Sequence, residues 1–394
     1  MKKASFILLT IAAMLGVMSC NKKAADITAD QQRELDGRIR VHIGTVEETK
    51  GVYTQDTNLD LDRKIVSIQV FVFDGIAGTS KFETDYYIDN VNATGQKDVE
   101  FATFTGQKTV YAVVNHAREY LPKDYLLSKF EEEKLSDLSE NTQSADGRIS
   151  KLVMSGKNTV TVNPYNKTGS GSDTPDPVTI FVKRLSSMVW LKQVSVDFTK
   201  TSLAGAEFTI MDIYLKNVVG KCRLGMSAVS GVMDSAAAPY DLTDDQFGNY
   251  SGNWYNKNTK QATGAPAVTY WAVNKTATSV AGGATELNNF LMAYPNKTPD
   301  GTDAHTDEFS ARHTRLVIHA KVKKADVTSA SGDETYYVFD LPKLDANKIY
   351  TITDIKITML GKDDDNKDED IQQGRINPNI KVDNWGNASL SYDF

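Results

Sequence analysis

Residues 64–74 read Lys64-Ile65-Val66-Ser67-Ile68-Gln69-Val70-Phe71-Val72-Phe73-Asp74. Val66, Ile68, Val70 and Val72 alternate with Ser67, Gln69, Phe71 and Phe73. A period of two is that of an extended strand, whose successive side chains point to opposite faces. The same alternation recurs on both sides of this stretch. Upstream, Ile39, Val41 and Ile43 alternate with Arg38, Arg40 and His42. Downstream, Val110 to Val114 form a short apolar run around Tyr111, and Trp190, Val194, Val196 and Phe198 oppose Gln193, Ser195 and Asp197. Leu316 to Ala320, Tyr336 to Phe339 and Ile349 to Met359 read as further strands. Near the end, Leu390, Tyr392 and Phe394 alternate with Ser389, Ser391 and Asp393.

Helical signals are sparse. Pro122 to about Leu138 is the best, with Pro at its start and Leu126, Leu127, Phe130, Leu135 and Leu138 near helical spacing. Its Glu131-Glu132-Glu133 run reads as a solvated face. Long polar stretches separate the strands at 167–177, 248–264, 296–310 and 361–373. Many strands, few helices and long loops predict an all-β fold of sandwich architecture. The boundary is expected near Val182-Lys183-Arg184, after a Gly/Ser/Pro-rich loop and one strand. That gives two sandwich-like domains with a small helical component in the first.

The chain opens with Lys2 and Lys3, then an uncharged, mostly apolar run from Phe6 to Met18. The run is too short for a spanning helix of about 20 residues and reads as a signal-peptide core. It ends in Val17-Met18-Ser19-Cys20, which resembles a lipobox. Residues 1–19 are therefore expected to be a lipoprotein signal peptide, Cys20 the acylated residue, and 20–37 a polar tether.

Composition narrows the functional classes. The formal net charge of −7 and the pI of about 5.4 argue against nucleic acid as a partner. There are two cysteines, so an acylated Cys20 leaves Cys222 without an intrachain disulfide partner; it reads as a small buried thiol rather than a nucleophile. His42, His116, His305, His313 and His319 form no HExxH motif and no Cys/His pair at metal-ligand spacing. No Gly-x-Ser-x-Gly elbow and no nucleotide-binding glycine loop is present. No catalytic residue, cofactor or metal is expected. The acidic run at 363–370 lacks the central Gly and terminal Glu of an EF-hand loop and reads as a solvated loop, with a Ca²⁺ site the alternative. Tyr250, Trp254 and Tyr255 lie in an Asn/Gly-rich loop. They read as packing that loop onto its sheet; the alternative is a ligand loop that stacks on sugars.

Several motifs stand in a recognisable order. The lipobox and a short alternating strand precede the 64–74 stretch. Then come Lys108-Thr109-Val110-Tyr111-Ala112-Val113-Val114-Asn115 and Leu152-Val153-Met154-Ser155-Gly156. Pro177-Val178-Thr179-Ile180-Phe181-Val182-Lys183-Arg184 leads into the second half. Asn347-Lys348-Ile349-Tyr350 and Ile380-Lys381-Val382-Asp383-Asn384-Trp385 follow near the end. In this order the chain resembles the fimbrillin family of Bacteroidales type V pili. The resemblance implies two transthyretin-like β-sandwich domains, at 38–182 and 183–394, and a lipid-anchored precursor on the outer membrane that becomes part of a cell-surface fimbrium. It also implies polymerisation after a protease removes the first strand, about 38–46, and partners that are other fimbrial subunits, with a host or bacterial surface receptor for adhesion.

Loss of Ile39, Val41 and Ile43 would open a groove that another chain's strand can fill by β-augmentation. The candidate donor is 380–394, with apolar positions Ile380, Val382, Leu390, Tyr392 and Phe394; at about 1.5–3 kcal/mol each they bury on the order of 10 kcal/mol before ordering costs. The family's major subunits are cut by an Arg-directed protease in the loop after the first strand. Here Val46-Glu47-Glu48-Thr49-Lys50-Gly51 contains no Arg, so Lys50-Gly51 is the candidate processing site. The alternative is an uncut chain: a fimbrial anchor or a non-polymerising surface lipoprotein that binds glycan or host protein.

Overall fold

Of the 64–74 stretch, Ile68–Asp74 folds as the alternation predicts, with both faces buried; Lys64–Ile65 form a separate short strand paired with Ala93–Thr94, and Val66 and Ser67 between them are not strand. A computed structural model describes residues 35–45, 63–143, 149–165, 174–199, 202–216, 218, 221–225, 255–256, 261–262, 269–278, 283–295, 314–325, 332–342, 344–361 and 380–384. The first domain is built from β1 (Gly37–Thr45), β2 (Ile68–Asp74), β3 (Lys81–Ile88), β4 (Gln96–Thr103) and β5 (Gly106–Val114), then α1 (Leu127–Glu133), β6 (Leu135–Asp137), β7 (Met154–Val162) and β8 (Asp176–Arg184). Seven of these strands form one sheet in the order β3-β2-β5-β7-β8-β1-β4. The sheet curls so that its two edges meet. Tyr86 of β3 stacks on Phe101 of β4 with ring centroids 5.3 Å apart and planes 2° from parallel.

Ile68, Val70 and Val72 of β2 face the inside of this curl, together with Ile39, Val41, Ile43, Val110, Ala112, Val114, Val178, Ile180 and Val182. Phe71 and Phe73 point the other way. They meet Phe130 of α1 at 4.9 and 5.5 Å. This second face belongs to a core that continues through Leu138, Leu152 and Leu185 into the second domain. Full burial of such side chains contributes about 1.5–3 kcal/mol each, so a strand buried on both faces is a main source of the domain's stability.

The second domain pairs two sheets. β9 (Ser187–Val196), β10 (Glu207–Lys216), β11 (Lys221–Arg223), β12 (Tyr270–Thr278), β13 (Gly283–Ala293), β14 (Arg315–Lys323), β15 (Asp333–Asp340), β16 (Lys348–Ile352), β17 (Ile355–Ile357) and β18 (Ile380–Asn384) follow in order. One sheet runs β13-β9-β16-β18, with β17 also on β9; the other runs β12-β10-β14-β15. Val194, Val196, Phe208, Ile210, Ile318, Ile352 and Ile355, drawn from both sheets, share one core. The molecule is thus an all-β protein of two sandwiches.

Three expectations need correction. The helix expected over Pro122 to Leu138 is only Leu127–Glu133. Both ends are captured by strand-like pairing. The amide of Phe82 donates to Tyr125 O and that of Leu127 to Ser80 O, each at 2.8 Å, which holds residues 125–127 extended beside β3. Beyond the helix, the amide of Leu224 donates to Lys134 O at 2.8 Å, and β6 pairs with β11. Nor is the Glu131–Glu133 run wholly solvated: Glu131 is half-buried, accepts from the Tyr111 hydroxyl and lies 2.6 Å from Lys157 Nζ. The strand expected at Ile349 to Met359 is interrupted after Ile352, yet β16 and β17 keep one parallel register on β9, Leu191 opposite Ile352 and Val194 opposite Ile355. Ser195 Oγ donates to Asp354 at 2.7 Å within the break.

Polar contacts fix the two domains together. The hydroxyl of Tyr294 lies 2.6 Å from Ser136 Oγ, accepts from Asn141 Nδ2 at 3.1 Å and donates to Asp137 O at 3.2 Å. Burial and the nearby Cys222 push the Tyr294 phenol well above its ordinary value. Between β8 and β9, Asn347 takes a positive φ of 57°. Its amide donates to Ser186 O at 3.0 Å while its Oδ1 accepts from the Arg184 amide at 3.3 Å.

Candidate assembly groove

β1 occupies an interior position in the curled sheet. It runs parallel to β8, with Val41 opposite Val178 and Ile43 opposite Ile180, and antiparallel to β4, with Ile39 opposite Phe101 and Val41 opposite Val99. Ile39, Val41 and Ile43 are fully buried. Their spacing alone put them on one face; the structure adds that this face closes the centre of the first core.

The outward face of β1 is basic and its neighbour is acidic. Arg38 Nε lies 2.8 Å from one Glu100 carboxylate oxygen, and Arg40 Nη2 lies 3.1 Å from the other. His42 Nδ1 lies 2.6 Å from Asp98. On the β8 side the residues opposite Arg40, His42 and Gly44 are Pro177, Thr179 and Phe181, none of them charged.

Each end of β1 is tied down. At the start, the Asp36 carboxylate accepts from Thr105 N at 2.8 Å and Thr105 Oγ1 at 3.0 Å, and Asp36 O accepts from Tyr165 N at 2.8 Å. At the other end, Thr45 N donates to Gly95 O at 2.8 Å, its hydroxyl donates to the same oxygen at 3.1 Å, and Arg63 Nε donates to Thr45 Oγ1 at 3.3 Å. Beside this end opens a cavity of about 460 Å³ lined by His42, Gly44, Arg63, Gly95, Gln96 and Phe181.

The other candidate residues fall as follows. Ile380 and Val382 lie on β18, where they stand opposite Ile352 and Tyr350 of β16 at the edge of their own sheet. Tyr255 begins a two-residue strand paired with Gln261–Ala262. Cys20, Lys50, Gly51, Tyr250, Trp254, Leu390, Tyr392, Phe394 and the 363–370 run lie outside the described residues. Cys222 is a fully buried thiol, pushed up to about 12 by burial. Among the described histidines, His116 lies 2.6 Å from Glu140, and His319 lies 3.0 Å from Asp212 with its ring stacked on Tyr336. Among the described residues no group of three or more His, Cys, Asp or Glu is placed to hold a metal ion.

Sequence reasoning missed β4 and with it Asp98 and Glu100. The signal was present: Asp98 and Glu100 alternate with Val99 and Phe101. It also missed the Thr45–Gly95–Arg63 tie, which joins residues far apart in sequence.

Residues 37–184, which run from β1 to the end of β8, match the family described as Major fimbrial subunit protein (FimA). A comparison with curated proteins found no match. Among solved structures, one described as a cell adhesion protein from Bacteroides eggerthii DSM 20697 is 16% identical with a TM-score of 0.55, covering 89% of this chain and 96% of that one. Another, so described from Parabacteroides distasonis ATCC 8503, is 16% identical with a TM-score of 0.53, covering 91% of this chain and 100% of that one. At this identity the two likenesses establish the fold, which spans both sandwiches. Over residues 37–184 the chain is similar to the family described as Major fimbrial subunit protein (FimA).

Proposed function

We propose that the chain is a structural subunit of cell-surface fimbriae that polymerises by strand exchange and supports adhesion and biofilm formation. In this reading the precursor is carried to the outer membrane by a lipid on Cys20. A protease then cuts after β1, with Lys50-Gly51 the candidate site, and releases β1 together with the lipid. The C-terminal segment of another subunit takes the vacated place.

One observation carries the reading. β1 is paired on both sides within the sheet, yet among the described residues it is the first strand of the first domain, so one cut between residues 46 and 62 severs it from the later strands. Its loss leaves the N–H and C=O groups of β4 and β8 along the groove unpaired, and unpaired sheet edges recruit strands. Three fully buried aliphatic side chains hold β1 by roughly 5–9 kcal/mol. A cut therefore makes release possible without making it spontaneous, and an incoming strand must supply comparable burial.

N-terminal sequencing of protein recovered from the cell surface tests this. A mature start near Gly51 in the polymeric fraction is expected. A polymeric fraction that begins uniformly at acylated Cys20 contradicts it. Deletion of Leu390 to Phe394 is expected to leave cut protein monomeric; unchanged assembly rejects the C-terminal segment as donor.

A further inference from the structure

We propose that the β1 groove accepts residues 386–394 of a second copy in one register only, running in β1's own direction, with Gly386 in the place of Gly37 and Asp393 in the place of Gly44 beside Arg63. The inference rests on the strand-exchange reading above and specifies it residue by residue.

Three features of the groove select the register. The first is steric. A Cβ at position 37 would lie 2.5 Å from Val162 Cγ1 and 3.3 Å from the backbone of Thr103 and Phe104, so this place requires glycine. The second is electrostatic. Positions 40 and 42 stand opposite Glu100 and Asp98, so residues placed there must be basic or neutral. The third is the cavity at the far end. A Cβ at position 44 would meet the Phe181 ring at 3.4 Å, an ordinary contact, and open toward a space of about 460 Å³ that holds Arg63.

The segment Gly386-Asn387-Ala388-Ser389-Leu390-Ser391-Tyr392-Asp393-Phe394 satisfies all three in a single alignment. Gly386 falls at 37. Ser389 and Ser391 fall at 40 and 42, facing Glu100 and Asp98 without charge. Leu390 and Tyr392 take the buried places of Val41 and Ile43, and Ala388 that of Ile39. The bulk of the strand shifts toward the cavity end. Asp393 falls at 44, which brings its carboxylate beside the Arg63 guanidinium for a charge-assisted contact.

The neighbouring alignments fail. A shift of one residue turns the apolar side chains outward. Moving Leu390 to position 39 sets Ala388 against Val162 and Asp393 against Asp98. Moving it to 43 leaves Gly386 and Ala388 in the buried places of Ile39 and Val41. With the strand reversed, Phe394 stands at 37 when Leu390 is at 41, and Asp393 faces Glu100 when Leu390 is at 43.

Disulfide trapping in polymers of the cut full chain reads the register, because a bridge needs Cα atoms about 4.4–6.8 Å apart. The paired variants are S389C with E100C, S391C with D98C, and S391C with E100C. Covalent ladders on non-reducing gels are expected from the first two and not from the third. A ladder from the third pair alone, or polymers with no ladder from any pair, overturns the register while strand exchange stands. A parent chain that forms no polymer after the cut overturns strand exchange itself. As a second arm, G386V is expected to slow assembly about tenfold or more by overpacking, and V162A on the acceptor to restore most of it; equal assembly of G386V and parent overturns the steric part.

Discussion

Arg40 of β1 stands directly opposite Glu100 of β4, with Nη2 3.1 Å from the carboxylate. Glu100 is also bound by Arg38, so one acidic side chain gathers two basic ones on the solvent side of the strand. Ion pairs at this exposure are worth about 0.2–1 kcal/mol. The R40E precursor is therefore expected to lose roughly 1 kcal/mol or less in urea unfolding. V41D, on the opposite face of the same strand, buries an unpaired carboxylate and is expected to cost more than about 3 kcal/mol or prevent folding. The contrast separates what holds β1 from what selects its replacement.

Asn115 organises the crossing of three segments. Its Oδ1 accepts from Val66 N at 2.7 Å, and its Nδ2 donates to Lys64 O at 2.7 Å and Leu152 O at 2.8 Å. It does so from a positive φ of 63°, which Asn tolerates better than most residues. N115A is expected to destabilise the protein by about 3 kcal/mol, and N115D by at least as much, since it buries a carboxylate whose second oxygen faces the Lys64 and Leu152 carbonyls. Urea midpoints of the two variants check the order.

Glu140 ties the chain after α1 to the loop after β5. Burial opposes its ionisation, but the His116 hydrogen bond and charge outweigh it, with the backbone amides of Asp137 and Ala117 assisting, and hold the carboxyl below its ordinary 4.5. A depressed acid stabilises the fold above its unfolded pKa, and that contribution is lost as pH falls through the folded value. Stability is expected to drop on acidification below about pH 4.5, and E140Q to flatten that drop. Denaturant midpoints at stepped pH measure it; an unchanged slope contradicts the assignment.

Cys222 is fully buried and its thiol is pushed up to about 12 by burial. Nucleophilic attack needs the thiolate. Iodoacetamide at pH 8 is expected to leave Cys222 unmodified in the native protein and to label it promptly in urea, as read by mass spectrometry.

Alternation made β1, β2, β5 and β9 legible because each places a run of apolar side chains on at least one buried face. β3 (Lys81–Ile88) and β12 (Tyr270–Thr278) were not legible. Both are edge strands in their sheets, and most of their side chains are only partly buried or exposed. The helix was overextended because Leu126 and Leu135 lie at helical spacing while their backbones pair with other segments. At the groove, the spacing of Ile39, Val41 and Ile43 identified the buried face. Periodicity reports which face a residue lies on and not which strand lies beside it. The pairing of Asp98 and Glu100 with β1, and the Arg63 tie, therefore became visible only in the folded chain.

The most direct measurement is the intact mass of the polymer. The full chain is cut within 46–62, the polymer is isolated without heating, and its subunits are weighed after denaturation. Strand exchange predicts polymer subunits that lack everything before the cut, with the 37–45 strand recovered in the small-molecule fraction. Polymer that retains the 37–45 fragment in equal amount, or cut protein that stays monomeric with the fragment bound, contradicts it.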